Sequence, residues 1–369
     1  MNFVNFILKK LGLVKIDSKE NYEKNFIKFS EEKDKFTNNE LFYCNYIDNS
    51  KLFTNDKVYI LDIGCSEGAD EIFTKFNFFS YVGCDSLEKE IIKLNNKNTH
   101  KNISYYNYTI IPPENKNEFV KKYRFDHYKN DMDYFNFGKS LAFEHVEKFE
   151  KTRENRSKIF GQLDRTKNNY QKSLTVDQIV SEKLKNNVNF MKIDIDGFTN
   201  DALYGASKTL NLSSLFFLKI EVNYTDPMEK DHFVEAYNYL YSKSFKLYRM
   251  SQRQYLHKGY FGKFIYDFPC QNFSGVDQQG DLIFIQDFDK VYTNFKNDKI
   301  TLNELYKYFI LLEILNFNDL AIYILNKYSD IFETKMVENL KNLFIRKFSI
   351  SHFNKELSYQ EIKEKLDSK

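Results

Sequence analysis

The stretch YILDIGCSEGADEIF, residues 59–73, holds the side chains best placed to do chemistry. A short apolar strand runs into a turn bracketed by Gly64 and Gly68 and then into a helix that opens with acids. That arrangement brings backbone amides and a helix N-terminus close to a ligand. Asp62, Glu67, Asp70 and Glu71 ring the turn, and such a ring repels phosphate at a few ångströms while it tolerates or attracts a cation. The glycines also fail the dinucleotide pattern G-x-G-x-x-G, because Ser66 stands where the middle glycine belongs, and no G-K-[ST] ending follows for a phosphate-binding loop. S-adenosylmethionine, with a sulfonium, an ammonium and no phosphate, suits this turn better than NAD or ATP. Asp62, Gly64, Cys65, Ser66, Glu67 and Gly68 are its candidate contacts.

Further along, YVGCDS ends a second strand at Asp85, about 20 residues after the first glycine, the spacing at which an acid meets ribose hydroxyls. Asp85 could instead cap the following helix, although Ser86 can supply that cap; both are candidate cofactor contacts. Asp194 and Asp196, in KIDIDG, lie at the carboxyl end of a later strand, where ligands of open parallel sheets bind. Strand alternation turns both to one side, so together they could hold a substrate, an ammonium group or a metal. Two close carboxylates can also raise one pKa, as a general base requires. Glu221, in LKIEVNY, ends the next strand on the same rim; its charge in an apolar strand is costly unless paired, with Lys192 or Lys219, or functional. These three are the candidate catalytic residues. They admit Mg2+ without requiring it.

The elements that must position these residues alternate as in a parallel sheet. Strands are predicted at 58–63, 81–84, 103–108, 189–194, 215–222, 245–250 and 280–286, with helices at 67–77, 86–96, 199–210 and 229–243. Thr175 and Gln178 have the spacing of a capping box that opens one more helix. The last two strands, separated by a long excursion, suit an antiparallel edge. The predicted fold is therefore α/β: a Rossmann-like, mostly parallel sheet with one antiparallel strand and an appended C-terminal helical region. It divides into an N-terminal extension (1–50), a sheet domain (51–290) with inserts at 112–172 and 251–280, and a helical bundle (291–369).

Composition narrows the function classes. The 369 residues carry a formal net charge of +2, so no whole-chain field recruits nucleic acid. Cys44, Cys65, Cys84 and Cys270 form no C-x-x-C pair, and two of them lie inside apolar strand-like runs, which argues for buried, reduced thiols and a cytoplasmic protein. No apolar run reaches the ~20 residues that span a bilayer. Residues 2–14 place Phe3, Phe6, Ile7, Leu11 and Val14 on one helical face, either docked on the domain or, with Lys9 and Lys10 beside it, touching the inner face of a membrane through residues 1–16. His145 and His232 read as ordinary surface groups, and KFEKTRENRSK as a solvated face.

ILDIGCSEGAD with GCDS resembles the first motif and second-strand acid of class I S-adenosylmethionine-dependent methyltransferases. SLTVDQIV, VNFMKIDIDGFTNDALYGASKTL and FFLKIEVNY, in that order, resemble segments of the FkbM family. The resemblance covers roughly a third of the chain. It implies S-adenosylmethionine as cofactor and methyl transfer to a hydroxyl of a sugar, glycan or related metabolite, with the protein positioning the reactants and a base removing the hydroxyl proton. Asp196 keeps the acid that the family has before Gly197, whereas Thr199 stands where the family usually has glutamate. That departure is the one support for a non-catalytic scaffold. A nucleic-acid methyltransferase is disfavoured, since DIDG replaces the D/N-P-P-aromatic motif and no basic stripe with interleaved aromatics is present.

Overall fold

The computed structural model describes residues 41–50, 53, 56–115, 173–195, 198–224, 233–251, 253–255, 276–353 and 355–367. The N-terminal helix, most of both inserts, Asp196, Gly197, His145, His232 and Cys270 lie outside them.

The first half alternates as its pattern demands. Helix α1 (Phe42–Ser50) precedes β1 (Val58–Ile63), α2 (Glu71–Lys75), β2 (Phe79–Asp85), α3 (Glu88–Lys97) and β3 (Ile103–Asn107). A short pair, β4 (Thr109–Ile110) with β5 (Ser173–Leu174), leads to α4 (Val176–Leu184), where Thr175 and Gln178 close the capping box their spacing predicts. Then come β6 (Phe190–Ile193), α5 (Thr199–Gly205), β7 (Phe217–Asn223), α6 (Phe233–Ser242), β8 (Phe245–Met250), β9 (Arg253–Tyr255) and β10 (Val276–Gln286). Helices α7 (Phe288–Lys296), α8 (Leu302–Ile314), α9 (Asn318–Lys327), α10 (Thr334–Phe353) and α11 (Tyr359–Asp367) complete the chain.

The main sheet has the order β3-β2-β1-β6-β7-β10-β8 and is parallel except for β10, which runs against both β7 and β8. The reversed strand thus lies one place in from the edge. This is the Rossmann-like α/β fold that the alternating pattern predicts. Both faces are covered, which is why β1 reads as a nearly continuous apolar run: Val58 and Ile60 point to one core, Leu61 and Ile63 to the other.

The C-terminal helices share the first of these cores with the sheet. All residues from Leu305 to Ile314 on α8 are buried, the pattern of a helix enclosed on every side. Tyr308 packs its ring 5.0 Å from that of Phe217 and 5.2 Å from that of Phe288. Glu313 of α8 accepts the amides of Tyr43 and Cys44, each at 2.8 Å, and so caps α1 with a carboxylate from across the core. Among the described residues no helix is long and apolar enough to cross a membrane.

Candidate functional site

The candidate residues gather at the carboxyl ends of β2, β1, β6 and β7. Register aligns one row across the sheet: Tyr105, Gly83, Asp62, Lys192 and Lys219 are successive partners on neighbouring strands and share a face. One row below, Tyr81, Ile60, Phe190 and Phe217 are buried in the core shared with the helices. The face therefore changes from apolar to charged within one strand repeat.

Gly64 makes the turn after β1 possible. Its φ of 88° is left-handed, and an added Cβ would lie 1.8 Å from the Asp194 carbonyl oxygen. The turn is thus pressed against the end of β6. Gly68, at φ 84°, leaves space for Leu94 and for the Tyr105 hydroxyl, which an added Cβ would approach to 2.9 and 3.3 Å. Helix α2 is shorter than the pattern predicts and begins only at Glu71. Four of the turn amides are bonded within the protein: Gly64 and Cys65 donate to the Cys84 carbonyl at 2.8 and 3.3 Å, Gly68 to the Cys65 carbonyl at 2.8 Å, and Ala69 to the Tyr105 hydroxyl at 2.9 Å. Ser66, Glu67 and Asp70 are exposed at the turn. Cys65 points into the core, and burial pushes its thiol and that of Cys84 well above the ordinary range, so neither acts as a nucleophile.

Asp62 lies beneath the turn, 5% exposed. Its Oδ2 accepts the Tyr81 hydroxyl at 2.6 Å, and its Oδ1 is 3.4 Å from the Lys192 ammonium. Burial raises its pKa, opposed by Lys192 and Tyr81. Lys192 also reaches Asp194 Oδ2 at 3.5 Å. Burial disfavours the lysine's charge, but the carboxylates of Asp62, Asp194 and Asp70 outweigh it and hold its pKa above the usual lysine range.

Asp85 is half-buried at the end of β2 and accepts the Leu87 amide at 2.8 Å. Burial lifts its pKa, with the Leu87 amide working against it. It therefore holds the turn into α3, while Ser86 is exposed and Leu87 occupies the N-cap without a side-chain bond. Glu221, half-buried at the end of β7, lies opposite Asp281 of β10, and Asp281 is 3.5 Å from Lys219. The structure thus brings Asp62 and Asp194 together through Lys192, sets Glu221 on the adjacent strand, and places Asp85 on the far side of the turn. Thr199 is fully buried, and its hydroxyl has no partner among the described residues. Among these residues no group of three or more His, Cys, Asp or Glu side chains is arranged to hold a metal.

Lys192, Tyr81 and Tyr105 are the contributors that sequence reasoning missed as site residues. Lys192 shares a strand face with Asp194 by simple alternation, a signal available in the sequence. Its pairing with Asp62 depends on strand register, which is not local.

No known family matches the chain by sequence, and no curated protein is similar to it. Among solved structures, it is similar to the methyltransferase FkbM from Methylobacillus flagellatus KT, at 13% identity and a TM-score of 0.30, over 66% of this chain and 47% of that one. It thus spans about half of that structure's length. It is also similar to magnesium protoporphyrin IX methyltransferase (ChlM) from Synechocystis PCC 6803 with bound SAM, at 9% identity and a TM-score of 0.29, over 66% of this chain and 76% of that one. A TehB-like SAM-dependent methyltransferase from Corynebacterium glutamicum ATCC 13032 is similar at 9% identity and a TM-score of 0.28, over 73% of this chain and 98% of that one. The fold stands on the strand order and the one reversed strand.

Proposed function

We propose that the chain is an S-adenosylmethionine-dependent methyltransferase. The observation that carries this reading is the charge at the strand ends. Asp62 and Asp194 share the single ammonium of Lys192, and Asp70 and Asp85 stand around the same turn. An anionic phosphate would be repelled there, whereas a ligand with cationic groups is attracted. Asp85, at the end of β2, would take the ribose hydroxyls, and Ser66 and Glu67 at the exposed tip of the turn would border the ligand. The cofactor supplies a methyl group already activated by its sulfonium.

The chain's own task is then positioning and proton handling. Asp194 and Glu221 lie at the ends of adjacent strands on the rim, where an acceptor hydroxyl would be held and one carboxylate would accept its proton; Asp196, outside the described residues, is the third candidate from the sequence. A sugar or glycan hydroxyl as acceptor, and membership of the FkbM family, rest on the ordered segments SLTVDQIV, KIDIDG and FFLKIEVNY. The alternative, a non-catalytic scaffold, rests on Thr199 in place of the family's usual glutamate; retained cofactor binding without turnover would favour it.

Calorimetry with S-adenosylmethionine and S-adenosylhomocysteine, with NAD as control, tests the proposal on the native chain and on Asp85→Ala. Micromolar binding weakened about tenfold by the substitution, ~1.4 kcal/mol, is the expected result. A folded native protein that binds neither ligand would refute the reading.

A further inference from the structure

We propose that Lys192 sets how strongly the site prefers a positively charged sulfur over a neutral one, by cancelling one of the two negative charges at Asp62 and Asp194. The inference rests on the methyl-donor reading above and deepens it: Lys192 becomes the residue that governs discrimination between donor and spent product.

The geometry fixes the lysine in this role. Lys192 and Asp62 are direct register partners on β6 and β1, and the ammonium stands 3.4 Å from Asp62 and 3.5 Å from Asp194. Asp62 is anchored from its other side by the Tyr81 hydroxyl at 2.6 Å. The groups that face the lysine are Asp62 from β1, Asp70 from the turn before α2, Asp194 from its own strand and Lys219 from β7. Lys219 is itself committed to Asp281 at 3.5 Å on the next strand. Burial opposes the charge on Lys192, yet the surrounding carboxylates keep it protonated. Its side chain is 24% exposed and that of Asp194 33%, so the ammonium is a fixed charge at the open edge of the site, partly screened by water.

S-adenosylmethionine and S-adenosylhomocysteine share their adenine, ribose, ammonium and carboxylate; they differ by a methyl group and one positive charge at sulfur. A residue that only holds the fold, or that only grips a shared group, changes both affinities alike. A residue that acts through the charge of the rim changes their ratio. With Lys192 in place the trio Asp62, Asp194 and Lys192 carries one net negative charge; without the lysine it carries two.

Two substitutions of opposite sign test this by calorimetry at about pH 8.5, well above the ordinary carboxyl range. Lys192→Met is expected to raise the preference for S-adenosylmethionine over S-adenosylhomocysteine about tenfold, ~1.4 kcal/mol, and Lys192→Arg to restore the native ratio. Asp194→Asn, which keeps the Lys192 pair with Asp62, is expected to lower the same ratio, and it carries the test by itself if Lys192→Met does not fold. A ratio unmoved in Lys192→Met while both ligands still bind would overturn the inference and leave the methyl-donor reading standing, as would a ratio that Asp194→Asn fails to lower. A native protein that binds neither ligand would bring down both.

Discussion

Two lysines on the helix-covered side of the sheet each meet two carboxylates, and the clusters stand at opposite ends of the same strands. At the amino ends, Lys307 of α8 is 2% exposed and bonds Asp56 at 2.8 Å and Glu304 at 2.6 Å. Asn189 closes the cluster by donating to Glu304 and to the Ser214 carbonyl, each at 3.0 Å, and by accepting the Tyr59 amide at 2.8 Å. At the carboxyl ends, Lys192 is more exposed and its contacts are longer, 3.4 and 3.5 Å. The closed cluster fastens helix to sheet with its groups satisfied. The open one keeps charge at a surface where a ligand can compete for it. Similar residues thus serve architecture or recognition according to how completely their partners are supplied.

Breaking each lysine cluster separates these roles. Lys307→Met strands Asp56 and Glu304 at the buried helix–sheet junction and is expected to destabilise the fold by about 3–5 kcal/mol in denaturant melts. Lys192→Met, whose contacts of 3.4 and 3.5 Å are longer and which leaves Asp62 its bond from Tyr81, is expected to cost less, about 1–3 kcal/mol, in the same melts. Equal losses would erase the distinction between the two ends of the sheet.

The smallest effect concerns pH. Burial raises the pKa of Glu313, against the pull of the Tyr43 and Cys44 amides. A carboxyl that titrates higher in the folded state than in the unfolded one binds its proton more readily when folded. Its contribution to stability is therefore full below the unfolded pKa and is lost as pH rises through the folded pKa. As the solution is acidified from neutral toward the ordinary carboxyl range, the native protein should gain stability relative to Glu313→Gln, measured as a shift in denaturation midpoint. A constant difference would mean that Glu313 titrates normally.

Local pattern carried much of this architecture. Alternating apolar runs placed β1 and β8 at their observed bounds, and Thr175 and Gln178 marked the start of α4. Asp85 stands at the end of β2 as its pattern predicts, and the bond it makes there is to the Leu87 amide, the capping alternative. The pairing of Asp62 with Lys192 was not legible, because register between β1 and β6 joins residues 130 apart in sequence. Nor did the pattern show that four of the turn amides are taken by Cys84, Cys65 and Tyr105, or that α2 starts only at Glu71. Each depends on the strand beside the turn and not on the turn's own residues. Propensity likewise described α8 as helical without revealing that it shares a core with the sheet, since a helix that is apolar all round does not name its neighbours.

The Glu313 carboxylate has a consequence for synthesis. The Tyr43 amide it accepts lies 270 residues earlier in the chain. At roughly 5–20 residues per second, α1 emerges from the ribosome on the order of tens of seconds before its cap exists. During that interval the first turn of α1 has no carboxylate and the apolar face of Tyr43, Cys44 and Ile47 has no α8 to cover it. The nascent chain passes through a period of exposure to chaperones and proteases that ends only once α8, with Glu313, has been made.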